Sequence, residues 1–153
     1  MQRSAAGRRP AGADTTATLR RLLHTVERQV AEAMRINLDP AGLSVEDWAV
    51  LSLVSDGKGH TMAEVIDAAG VPAASATRLV DRLVSSALLH RTPDAQDRRR
   101  VLVALAPRGR EKVAKLAPGQ RRLAELLASR LGEGGMDALV TALTDAQTAL
   151  ARD

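Results

Sequence analysis

Apolar positions recur at three-four spacing from Thr15 to about Asn37, where Leu19, Leu22, Leu23, Val26, Val30, Ala33 and Met34 share one side and Arg20, Arg21, Glu27, Arg28 and Glu32 occupy much of the other. This pattern predicts a long amphipathic helix. At ~1.5 Å per residue it spans about 35 Å, longer than one small core needs, so its apolar face suits a second chain. Asp39-Pro40-Ala41-Gly42 should end it. Ser44 then offers the hydroxyl of an N-cap, Glu46 and Asp47 complement the dipole of a second helix, and Trp48, Leu51, Leu53 and Val54 form its inward face. Beyond the turn Asp56-Gly57-Lys58-Gly59, the Thr61-Met62-Ala63-Glu64 capping box starts a short helix to about Ala69, which Gly70 stops. Pro72 suits the first position of the next helix, Ala73 to Ser86, with Ala76, Leu79, Val80 and Leu83 inward. Two helices joined by a tight Gly-Val-Pro connection have the spacing of a helix-turn-helix.

Leu88-Leu89-His90-Arg91 and Val101-Leu102-Val103-Ala104-Leu105 read as two short strands separated by TPDAQDRRR, a hairpin with a long charged tip. Pro107 opens a helical pattern through Val113 and Leu116, which Pro118-Gly119 should kink or break before Leu123, Leu126, Leu127 and Leu131 resume it. A last helix from about Met136 to Leu150 places Met136, Leu139, Val140, Leu143 and Leu150 on one face. Residues 1–14 lack periodicity and are rich in Gly, Pro, Ala and Arg, which predicts a disordered basic arm. The remainder, 15–153, reads as one domain. Its fold class is mainly α with a small β-hairpin wing, a winged helix-turn-helix lobe over 43–106.

Composition narrows the chemistry. With 45% hydrophobic residues in 153 the chain can bury a core, yet Trp48 is its only aromatic residue, so stacking platforms for single-stranded nucleic acid are excluded. It has no cysteine, which removes disulfides, zinc ribbons and thiol chemistry and suits a reducing compartment. The longest apolar run is too short to span a bilayer, and no apolar segment follows the basic N-terminus as a signal peptide requires, so a cytoplasmic protein is expected. A net charge of +4 is compatible with a polyanionic partner and decides little alone. His24, His60 and His90 lie on separate segments without metal-ligand spacing, and neither a Gly-x-Ser-x-Gly elbow nor a phosphate-binding loop is present. No catalytic residue, metal site or cofactor is expected.

On the second helix of the pair, Ser75, Arg78 and Arg82 share the face opposite Leu79 and Leu83, while the small residues Ala73, Ala74 and Ser75 let its N-terminus approach a major groove closely. Thr77 can touch a base methyl or a phosphate. The alternative is that Arg78 and Arg82 are solvated charges pairing with Asp81. At the hairpin tip, Asp97 beside Arg98, Arg99 and Arg100 can pin one guanidinium and leave another free to enter a minor groove. The same run in isolation reads as a solvated turn.

Together these residues resemble the MarR family of bacterial transcription regulators. The likeness is carried by Leu43-Ser44, Thr61-Met62-Ala63-Glu64-Val65, Thr77-Arg78-Leu79-Val80-Asp81-Arg82-Leu83, Leu88-Leu89-His90-Arg91, Asp97-Arg98-Arg99 and Leu105-Ala106-Pro107-Arg108-Gly109, and extends over about residues 15–150. The chain departs from the family at Ala87, usually a turn Gly, and at Ala106, usually a capping Thr. The resemblance implies a homodimer whose first and last helices, 15–38 and 108–153, form the dimer base. It also implies repression of nearby genes through a pseudo-palindromic double-stranded DNA operator, and release by a small anionic, often phenolic, effector. His24 and Arg28 on the first helix and Trp48 on the second are the effector-site candidates, because an anion in an apolar pocket needs a cation and a flat wall. Trp48 as plain core, Arg28 as surface charge and a solvent-facing His24 are the alternatives. A helical protein-interaction module of the same fold that touches no DNA is the rival function.

Overall fold

The computed structural model describes residues 12–151. Six helices and one hairpin follow in the order α1 (Gly12–Leu38), α2 (Val45–Leu53), α3 (Met62–Ala69), α4 (Ala73–Ser85), β1 (Leu89–Pro93), β2 (Val101–Leu105), α5 (Pro107–Leu131) and α6 (Gly135–Leu150). The backbone divides into two compact units, Met1–Ala33 and Met34–Asp153. In the first unit, α1 begins at Gly12, three residues earlier than the apolar periodicity indicates, because Asp14 in its first turn favours the positive helix end. Residues 12–14 are therefore helical, and the rest of the expected basic arm lies outside the described residues. Leu19, Leu22, Leu23 and Val26 remain about half exposed along α1.

The second unit holds the core: Leu38, Val50, Leu51, Val54, Val65, Val80, Leu89 and Val103 are essentially inaccessible, and Trp48, at 8% exposure, packs among them. The two capping boxes form as their residue types require. Ser44 Oγ accepts from the Asp47 amide while Asp47 returns a bond to the Ser44 amide, and Thr61 and Glu64 do the same for α3. Gly70 ends α3 in the left-handed region at φ 63°. Pro72 occupies the N-cap of α4 rather than its first helical position, its carbonyl accepting from the amides of Ser75 and Ala76. Ala76, Leu79, Val80 and Leu83 are the buried face of α4, as their spacing dictates.

Antiparallel β1 and β2 pair Leu89 with Leu105 and Arg91 with Val103. His60 adds a one-residue antiparallel bridge to this two-stranded wing, exchanging two backbone bonds with Val103 at 2.9 and 2.8 Å. Helix α5 seats against the base of the wing through Gly109, where a β-carbon would lie 2.0 Å from the Leu88 carbonyl oxygen. That close approach is the physical reason for glycine in Ala-Pro-Arg-Gly. Of the kink or break expected at Pro118, the break does not occur, and α5 runs through the proline as one helix. The proline removes one amide donor, but Gly119 beside it is buried against the Asn37 side chain and Gln120 Nε2 donates to the Met34 carbonyl at 3.4 Å. Packing outweighs the lost bond. Beyond Gly119 neither α5 nor α6 buries a residue, and Leu126, Leu131, Leu139, Val140, Leu143 and Leu150 are between two-fifths and four-fifths exposed.

Candidate nucleic-acid interface

The N-terminal half of α4 presents Ala73, Ala74, Ser75, Thr77 and Arg78 to solvent, all exposed, while the alternate face is locked into the core. The first amides of α4, those of Ala73 and Ala74, have no helical acceptor to reach and carry the positive end of the dipole outward. Thr77 Oγ1 donates to the Ala73 carbonyl at 3.0 Å, which fixes its rotamer and turns the methyl group and the oxygen lone pairs away from the helix. Arg78 makes no ion pair among the described residues, so its guanidinium is available to a ligand.

Arg82 has a different status from Arg78. Its Nη2 donates to Oδ1 of Asp47, a carboxylate 3% exposed at the start of α2. The same Asp47 closes the Ser44 capping box through Oδ2. One buried side chain thus caps α2 and ties it to α4, positioning the recognition helix, while Arg82 remains 58% exposed at its outer end. Asp81, the partner that spacing offered to Arg78 and Arg82, instead accepts from Arg91 of β1 at 2.6 Å, joining α4 to the wing. Neither pair is visible as a local pattern: Asp47 and Arg82 stand 35 positions apart. Ser75, Arg78 and Arg82 line a hollow of about 440 Å³ together with Ser44 and Glu46. Backbone and Ser44 hydrogen bonds, with Arg35 and Arg82 nearby, hold the Glu46 carboxyl below the ordinary range despite partial burial.

The wing tip is folded by its two aspartates. Asp94 accepts from the Gln96 amide at 2.8 Å and Asp97 from the Arg99 amide at 3.1 Å, turns in which a carboxylate substitutes for a backbone acceptor. Asp97 also holds two guanidinium groups, Arg99 Nε at 3.4 Å and Arg100 Nε at 3.8 Å. Arg98 has no partner among the described residues and is the free cation of the tip. Even so, Arg99 is 94% exposed, so its ion pair is a solvated one of small energetic weight.

The three effector-site candidates divide between the two compact units. Trp48 belongs to the core of the second unit, and His24 and Arg28 are exposed positions of α1 in the first. Among the described residues no helix is long and apolar enough to cross a membrane, and no group of three His, Cys, Asp or Glu could hold a metal ion.

This geometry has close relatives. A MarR-family model matches residues 41–100. The HTH-type transcriptional repressor NicR of Pseudomonas putida is 30% identical over 108 residues, covering 71% of this chain and 68% of that protein. Among solved structures, a mutant MarR of E. coli complexed with operator DNA superposes with a TM-score of 0.69 at 25% identity, covering 90% of this chain and 99% of that one. Bordetella bronchiseptica BpsR, whose DNA binding is regulated by 6-hydroxynicotinic acid, superposes with a TM-score of 0.70 at 24% identity over 83% of this chain and 91% of its own.

Proposed function

The chain belongs to the MarR family of winged-helix transcription regulators, and from that premise we propose that it is a dimeric repressor that reads a pseudo-palindromic operator and releases it when a small anion binds. It is a DNA-binding regulator rather than a protein-interaction module of the same fold. The observation that carries the residue assignment is the contrast between free and committed cations on one surface. Among the described residues Arg78 and Arg98 are unpaired, Arg82 is held by a buried carboxylate, and the outer residues of α4 are uniformly exposed. In this reading Ser75, Thr77 and Arg78 meet base edges in the major groove, with Ala73 and Ala74 allowing the close approach. Arg98 probes the minor groove, Arg99 and Arg100 lie over phosphates, and Asp97 shapes the tip. Two-fold symmetry sets the half-sites about one helical turn, ~10 bp, apart.

For the effector, similarity to BpsR favours a small phenolic or heteroaromatic acid. His24 and Arg28 supply exposed polar groups for it, whereas the burial of Trp48 favours a core role for that residue.

A titration of the DNA flanking the gene against a scrambled duplex, at about 50 and 200 mM salt, tests the proposal. Specific binding at least about a hundredfold tighter, falling steeply with salt, is the expected result. Arg78→Ala should cost about 1–3 kcal/mol of binding and leave the melting temperature unchanged, whereas Arg82→Ala should lower both, because it strips Asp47 of its counter-charge. Equal thermal losses in the two variants would show that Arg78 is structural and defeat the assignment.

A further inference from the structure

The two strands of the wing alternate strictly between two faces. Leu89, Arg91 and Pro93 share one face with their partners Leu105, Val103 and Val101, while His90 and Thr92 share the other with Ala104 and Leu102. On the first face burial ends abruptly. Leu105 and Val103 are buried, whereas Val101 is 51% exposed and Pro93 stands exposed beside it. Leu102, on the opposite face, is covered by the turn at Gly59, where a β-carbon would lie 3.3 Å from that of the leucine. Pro93 and Val101 thus form an apolar rung at the outer end of the wing.

The backbone holds this rung firmly. Val103 exchanges both of its backbone bonds with His60, so Val103 and Arg91 are a non-hydrogen-bonded pair, and by alternation so are Val101 and Pro93. Proline therefore costs the ladder no donor there, and α-carbons facing each other at about 4.5 Å bring the two side chains together. One residue further out, the Asp94 amide donates to the Arg100 carbonyl at 3.0 Å and closes the ladder beyond the rung. Arg98, Arg99 and Arg100 follow directly, all exposed.

Between rung and core, on the same face, stands Arg91, whose Nη2 donates to Asp81 at 2.6 Å. Asp81 follows Thr77 and Arg78 by four and three positions, which places it on their exposed side of α4. The face that bears the rung therefore borders the surface of α4 assigned to DNA. Two residues further along the ribbon, about 7 Å, an apolar pair flanked by cations overhangs that border. A minor groove offers the matching chemistry, with phosphates along its rim and the apolar edges of deoxyribose as its walls. An apolar protein surface would match the pair alone and leave the arginines uncompensated.

We propose that Pro93 and Val101 are a DNA contact, packing on the deoxyribose wall of the minor groove beside the arginines of the tip. The proposal deepens the operator-binding reading above and rests on it. It gives the wing a contribution that follows groove shape and releases no counterions.

Val101→Ala, Val101→Ile and Arg100→Ala are compared with the wild type in the DNA titration between about 50 and 200 mM salt. With one rung in each protomer, Val101→Ala should weaken binding to the native fragment at least about fivefold, leaving the slope of log affinity against log salt unchanged. Val101→Ile keeps the apolar surface and should retain the affinity. Arg100→Ala, which removes a phosphate contact, should instead flatten the slope by about one for each wing engaged. Hydroxyl-radical cleavage, which attacks deoxyribose, supplies a second readout at saturating protein, where differences in affinity no longer matter. Sugars flanking each half-site should be protected by the wild type and Val101→Ile and become cleavable with Val101→Ala. Unchanged affinity and protection in Val101→Ala overturn the proposal, leaving Val101 a strand former and the operator reading intact. A flattened salt slope in Val101→Ala also overturns it, because the loss is then one of phosphate contacts through a displaced tip. A wild type that binds neither the native nor the scrambled duplex defeats the operator reading itself, and the proposal with it.

Discussion

Ala87 shows how a single residue can hold a backbone conformation that its side chain disfavours. It sits at φ 57°, the only non-glycine residue at positive φ among those described. The cause lies in the bonds around it: the Leu88 amide reaches back to the Leu83 carbonyl and the Ala87 amide to the Val84 carbonyl, the double closure that ends a helix through a left-handed residue. Glycine accepts that conformation freely, whereas alanine's β-carbon costs roughly 1–2 kcal/mol there, partly offset by the smaller entropy alanine loses on folding. Ala87→Gly should therefore stabilise the fold by about 0.5–1 kcal/mol, read as a raised midpoint in urea with an unchanged slope. A lowered midpoint would mean that the strain is relieved by contacts of the methyl group. The departure from the family's usual glycine was legible in the sequence, and so was its location at a turn. Asp47 was legible only as a dipole partner of α2, because its second role depends on Arg82 arriving from a distant segment.

At the scale of elements, periodicity located every helix and both strands to within a few residues, because one buried face per element leaves a repeating signature. Long-range ties leave none. His60 is the clearest case: it followed a turn and matched no chemical pattern, yet its backbone bridges to Val103 of the wing and its ring lies between two carboxylates. Nε2 lies 3.0 Å from Asp56 and Nδ1 3.4 Å from Glu64. The Lys58 amide, reinforced by His60, holds the Asp56 carboxyl below its ordinary value of 3.8, and the Thr61 amide and hydroxyl, again with His60, hold Glu64 below 4.5. Carboxyls lowered in this way stabilise the folded state above their ordinary values, and that contribution disappears as pH falls through the lower folded values. Thermal unfolding followed from about pH 6 down to about pH 3 should show the wild type losing stability faster than Asp56→Asn/Glu64→Gln, which starts lower and meets it at the acid end. Parallel curves would show that these carboxylates contribute nothing to the wing's anchorage. Pro118 teaches the converse lesson, since a strong local signal for a break yielded to the fit of Gly119 against Asn37.

For the whole molecule, the unsolved surface is α6 and the distal part of α5. Leu126, Leu131, Leu139, Val140, Leu143 and Leu150 are all substantially exposed, and no residue of α6 is buried. An apolar face of that extent on an isolated chain calls for a cover, and the dimer expected of the family supplies one. Because α6 contributes no buried side chain to the core, charges placed on it should leave the winged lobe folded. Leu139→Glu/Leu143→Glu is thus expected to give a monomer by light scattering, with secondary structure retained and a melting temperature that no longer rises with protein concentration. DNA affinity should fall by on the order of 10²-fold or more, since two half-sites held together bind with an effective concentration that a single lobe forgoes, and the salt slope should fall to about half as the phosphate contacts do. If the variant stays dimeric and binds as before, the apolar face of α6 serves another partner and the dimer is built elsewhere. If it becomes monomeric and keeps full affinity, one lobe suffices for recognition, and neither the palindrome nor the ~10 bp spacing follows from the fold.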